Sequence, residues 1–165
     1  MSRLAYALDQ LRQTRDYTNR VLDHTDPARW FEMPPGGTTH IGWQVGHLTV
    51  SQVGHLLVGV CGRTPHDGLI PEPYFGWFGK GSSPVADAAA YPAVGALRRA
   101  FDQVFEQATS ALSQIDEARL DEPPYQPHWA MRTRLDAVWW NIRHEMLHAG
   151  QIGLCRRLLG EPPYR

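Results

Sequence analysis

The segment Asn141-Ile142-Arg143-His144-Glu145-Met146-Leu147-His148-Ala149-Gly150-Gln151 sets four polar side chains into an otherwise apolar helix pattern. His144 and His148 lie one helical turn apart, Asn141 precedes the pair by three and Gln151 follows it by three, so all four share one stripe. Trp139, Trp140, Ile142, Met146, Ile152 and Leu154 surround them. Burying such a stripe costs about 1–3 kcal/mol for each polar group left without a partner. Two imidazoles on one face can instead grip one ion. The pattern extends over about 133–159, where Gly160 and Pro162-Pro163 stop it.

Three more helices precede this one. Leu4, Leu8, Leu11, Tyr17 and Val21 recur at helical intervals over residues 2–24. The Pro34-Pro35-Gly36-Gly37 cluster breaks the chain before a second helix over about 40–61, which Thr38 or Thr39 can cap and Gly62 can stop. Residues 62–87 form a long Gly/Pro/Ser-rich connection carrying Tyr74-Phe75-Gly76-Trp77-Phe78-Gly79. Such an aromatic run can pack the connection onto the bundle or line an entrance, and Gly76, Gly79 and Gly81 could let it move. The third helix spans about 93–115 with Val94, Leu97, Phe101, Val104, Phe105, Ala108 and Leu112 on its apolar stripe; Asp87 can cap an opening turn that Pro92 interrupts. Four helices without strand alternation or internal repeats predict an all-α, four-helix bundle over residues 1–165 as a single domain. If residues 62–87 cross the length of the bundle, helices two and three run parallel, giving up-down-down-up topology.

Composition narrows the function. With 42% hydrophobic and 20% charged residues and a net charge of -1, the chain has the make-up of an ordered globular protein. Its basic residues are scattered, Lys80 being the only lysine, so no stripe tracks nucleic acid. No apolar run approaches the roughly 20 residues that span a bilayer, and no signal-peptide core opens the chain. Cys61 and Cys155 read as small buried thiols of a reducing compartment. A cytoplasmic location is expected.

The second helix offers His40, His47 and His55 as a third ligand. At about 1.5 Å of rise per residue, His40 lies too near its helix end to meet a pair placed mid-helix. His47 and His55 both fall at usable heights. His47 shares a stripe with Trp43, Val50, Gly54 and Leu57 and is the better placed; His55 stays open on geometry alone.

Gly46-His47-Leu48 early in the second helix, followed far downstream by His144-x-x-x-His148-x-Gly150-Gln151-Ile152, resembles the DinB/YfiT-like family of bacterial metal-binding bundles. The likeness takes in Ile41-Gly42-Trp43, the Arg-Arg-Leu-Leu-Gly ending and the order of the helices. Ala149 departs from it where relatives often carry Arg, and Leu147 where many carry a further His; neither position is a ligand in the family's scheme. The resemblance implies a crossover bundle in which His47, His144 and His148 hold Zn2+, Ni2+ or Fe2+, commonly as a homodimer. It also implies thiol-dependent transferase or isomerase chemistry in some relatives. Three imidazoles leave a coordination position for water or substrate, as in reactive zinc sites.

His144-Glu145-Met146-Leu147-His148 also satisfies H-E-x-x-H, the helix motif of zinc proteases. The extended form of that motif would need Gly at 151 and His at 154, where this chain has Gln151 and Leu154. Glu161 is the sole carboxylate beyond the helix, and no edge strand is at hand to hold a peptide. The expected activity is therefore a metal-dependent reaction on a small molecule, with water or a low-molecular-weight thiol activated at the ion and Asn141, Gln151 or Glu145 supporting ligands or substrate. The alternative from another class is a bundle whose metal only stabilises the fold.

Overall fold

The computed structural model describes residues 2–163. Ser2 accepts from the Ala5 N–H and so starts α1 (Arg3–Asp23). After a loop, α2 (Ile41–Gln52) begins at a cap that differs from the expected threonines: His40 is buried, and its Nδ1 accepts from the Trp43 N–H at 3.0 Å. Its Nε2–H donates to the Val85 carbonyl at 3.1 Å. A residue discarded as a ligand because it sits at a helix end is the cap of that end.

Beyond Gln52 the second helix continues as a π turn, Val53–Val58, before Gly62 closes it with a φ of 73°. The long connection is not wholly irregular, because Pro73–Phe78 forms the short helix α3, started by its proline. Tyr74 and Phe78 are buried, so this aromatic run chiefly packs the connection against α2. Asp87 caps a 3-10 turn, Ala88–Ala90, and α4 (Val94–Leu112) opens two residues after Pro92. The final helix, α5 (Arg134–Leu158), starts in a reciprocal capping box between Thr133 and Asp136 and ends before Gly160.

The principal packing pairs are α1 with α5, α5 with α2, and α2 with α4; the first two long helices are not among them. Leu11, Leu56, Leu97, Phe101, Leu112 and Ile152 fill the space between, each essentially without exposure. Tyr17 departs from the expected apolar stripe of α1: it is 41% exposed, while Thr14, Arg15 and Thr18 turn inward. Arg15 explains that rotation. Its guanidinium donates to Glu145 Oε1 at 2.8 Å, the Phe101 carbonyl at 2.9 Å and Gln52 Oε1 at 3.0 Å, and lies 3.4 Å from the Phe101 ring centroid. One buried cation thus ties α1 to α2, α4 and α5.

Among the described residues no strand forms, and no helix is long and apolar enough to cross a membrane. Cys61 is half-buried and Cys155 buried, both as free thiols.

Candidate metal centre

His47, on α2, meets His144 and His148, on α5, where these two helices pack. One ring nitrogen from each lies within 4.8 Å of the others. The Nε2 atoms of His144 and His148 are 3.1 Å apart. Two ligands at 2.0–2.1 Å from a single tetrahedral zinc stand about 3.3 Å apart, so the donor spacing suits such an ion.

The remaining ring nitrogens fix which atoms point inward. His47 donates from Nδ1 to the Phe78 carbonyl at 2.7 Å, leaving the Nε2 lone pair towards the cluster. His148 donates from Nδ1 to Gln44 Oε1. Gln44 in turn donates from Nε2 to Thr39 Oγ1 at 3.0 Å, which orients its amide oxygen at the imidazole. The Trp43 indole stacks on His47 at 4.8 Å with the rings 6° from parallel, and is itself held by the Trp77 carbonyl and Ser82 Oγ.

Local sequence makes these approaches possible. A Cβ on Gly46 would meet atoms of the buried Phe78 ring at under 3.0 Å, so glycine at 46 lets α3 close on α2 and set the Phe78 carbonyl against His47. Gly42 accommodates the Phe31 ring in the same way. Glycine at 46 is therefore a steric requirement of the site.

The cluster is electrically neutral. Burial, reinforced by the neighbouring imidazoles, holds His144 down to about 4 and His148 down to about 3, and burial lowers His47 despite the Phe78 hydrogen bond. Neutral imidazole is the form that ligates metal.

The other predicted residues divide. Asn141 is buried and hydrogen-bonds His55, while its Nδ2 has no protein partner. Gln151 is exposed on α5, one turn beyond His148. Glu145 lies 2% exposed against Arg15, with both carboxylate oxygens on that guanidinium. This engagement leaves no general base in the H-E-x-x-H arrangement.

His55 sits 5.2 Å from His144 and 5.9 Å from His128 between ring centroids. Its expected offset from His47 assumes a regular helix. The π turn that begins at Val53 advances fewer degrees per residue and brings His55 round towards the cluster. Burial is the main reason His55 is held down to about 3. Beside the triad opens a cleft of about 240 Å³ lined by Ser51, His55, Lys80, His128, Trp129 and Trp140, with His47 and His144 at its base. Gln44 and this wall join the candidate site only in the fold. Gln44 precedes His47 by three, the offset by which Asn141 precedes His144, and that echo was its one legible signal.

A helical bundle with an internal cluster of three neutral histidines, backed by hydrogen bonds and open to a cleft, defines a class of chains able to hold a metal ion between their helices. This chain belongs to the DinB superfamily, whose family model matches residues 10–152 and so takes in all three histidines. No curated protein and no solved structure matches it.

Proposed function

We propose that the protein is a metal-dependent enzyme acting on a small molecule, with His47, His144 and His148 as the ligands of a divalent ion, zinc or nickel before iron. The observation that carries this reading is the convergence of three neutral imidazoles, two of them held from behind by Phe78 and Gln44, with His47 and His144 also lining a cleft. A closed structural site would have its donors shut off from ligands; this one leaves room for one. When bound, the ion supplies Lewis acidity that lowers the pKa of a water or thiol ligand, fitting hydrolysis or thiol transfer to an electrophile.

The chain's own residues do the positioning. His47 and His148 keep their Nδ1 protons on Phe78 and Gln44, so neither rotates out of the cluster. Gln151 stands one turn beyond His148 on the exposed side of α5, where it can orient an incoming ligand. Asn141 keeps an unpartnered Nδ2 next to His55. We further propose assembly as a homodimer: Leu147, Leu154 and Leu158 lie on one exposed stripe of α5.

The test joins metal analysis to activity. Purified protein should carry about one divalent ion per chain, lost in both His47→Ala and His148→Ala, and should add low-molecular-weight thiols to electrophiles only when loaded. Unchanged metal content in both variants would remove the triad. A large rise in thermal stability on loading, without turnover across several thiols, would leave a metal that only stabilises the bundle.

A further inference from the structure

The cleft beside the triad has a composition of its own. The Trp129 and Trp140 indoles meet edge to face at 5.2 Å, and His128 lies against both, 5.7 and 5.5 Å away. Trp129 is 82% exposed, so its ring contributes little to the core; it stands at the cleft as an uncovered apolar wall. Lys80, the chain's only lysine, also lines the cleft, brought there by the turn that follows α3. No carboxylate lines the cleft. Its one permanent side-chain charge is therefore positive, and Ser51 adds a hydroxyl between His47 and His55.

Three physical consequences follow. A cationic ligand is repelled by Lys80 and finds no carboxylate, whereas an anionic group gains a charge-assisted hydrogen bond. A flat apolar body can lie against the indole faces, where an aliphatic chain of equal size makes poorer contact. A cleft of about 240 Å³ has room for a ligand the size of a single ring with one substituent.

We propose that this cleft is a subsite for small planar carboxylates, with the unsaturated or aromatic body against Trp129 and Trp140 and the carboxylate at Lys80. The inference rests on the proposed metal-dependent activity and names the substrate class of that site: the substrate's reactive carbon would lie between the carboxylate anchor and the histidine cluster.

Calorimetric titration of zinc-loaded protein with benzoate, benzamide and cyclohexanecarboxylate tests this. Benzoate should bind about tenfold or more tightly than either analogue. Lys80→Met should weaken benzoate about tenfold, Lys80→Arg should recover most of that loss, and Trp129→Ala should weaken benzoate and benzamide alike. Both positions are exposed, so the variants should keep the parent's melting temperature and zinc content. Benzoate that binds equally well to Lys80→Met is held by the ion alone, and that result overturns the subsite, as does failure of benzoate to bind. The same titration on metal-free His148→Ala separates the two readings. Lys80-dependent benzoate binding there sustains the subsite even if zinc never binds the parent protein, whereas a parent that binds zinc without Lys80-dependent binding loses only the subsite.

Discussion

The side-chain oxygen of Gln44 on α2 accepts the Nδ1 proton of His148 on α5, so the orientation of one candidate ligand is set by the helix that carries another. Thr39 completes the chain of hydrogen bonds by holding the Gln44 amide. Partners of this kind typically matter 10–100-fold in metal affinity. Gln44→Leu should therefore weaken zinc binding by about that range, and Gln44→Glu, which keeps an acceptor at the same place, should retain most of it. Competition with a chromophoric chelator measures both. Equal affinities in Gln44→Leu and the parent would show that His148 needs no such support.

Much of this arrangement is written in the sequence, and the limits are physical. The long helices follow from periodicity and punctuation: Gly62 and Gly160 end helices at positive φ as their positions suggest, and Thr133 opens α5. Spacing placed His144 and His148 together because four residues are one turn in any regular helix. His55 could be separated from His47 only mildly, since a π turn changes the angular count and has no clear signature in Val53–Val58; it lies beside the triad, which His47 completes. Tyr17 was assigned inward because an aromatic ring looks apolar in a pattern; the buried side chain is Arg15, and only the fold brings Glu145 to neutralise it. Lys80, His128 and Trp129 come from connections whose course is set by tertiary packing, so a cleft built from them is invisible in one dimension.

The buried Arg15–Glu145 pair yields a separate prediction. Both side chains are about 3% exposed, and removing one partner strands the other's charge in the core. Glu145→Leu should cost about 3–5 kcal/mol, which lowers the melting temperature by about 10 °C or more in a chain of this size. The double variant Arg15→Met/Glu145→Leu should recover most of that loss, because well-packed apolar replacements of buried ion pairs are often neutral. Thermal melts of the single and double variants decide it. If Glu145→Leu melts like the parent but loses all hydrolytic activity, Glu145 is a reactive base and the structural assignment is wrong.

Acid should destabilise the metal-free protein earlier than an ordinary bundle. In the fold, His55 and His148 take up protons only near 3 and His144 only near 4, against an ordinary value of 6.5, chiefly because burial disfavours their charged forms. Between about pH 6.5 and those values the unfolded chain binds more protons than the folded one, so stability is independent of these groups above the window and falls as pH drops through it. Each such histidine contributes a slope of up to about 1.4 kcal/mol per pH unit. The melting temperature of the metal-free protein should be flat from about pH 8 to 7 and decline from about pH 6.5 to 5, before most carboxylates titrate. His55→Phe should lessen the decline. A flat profile down to pH 5 would mean that these rings are solvated in the metal-free state.

Glycines 46 and 150 should respond oppositely to the same substitution. A Cβ at Gly46 meets the Phe78 ring at under 3.0 Å, whereas one at Gly150, inside α5, meets nothing within 4 Å. Gly46→Ala must push α3 away from α2, and the displaced Phe78 carbonyl is the one that orients His47. Overpacking of this sort costs about 1–3 kcal/mol, and zinc affinity should fall together with stability. Gly150→Ala keeps the helix and removes only the backbone freedom of the unfolded chain, so it should stabilise by about 0.5–1 kcal/mol and leave zinc affinity unchanged. Chemical denaturation paired with chelator competition on the two variants reads both effects. A Gly46→Ala protein that loses stability but keeps full zinc affinity would show that His47 holds its orientation without Phe78, leaving the stacked Trp43 ring as its support.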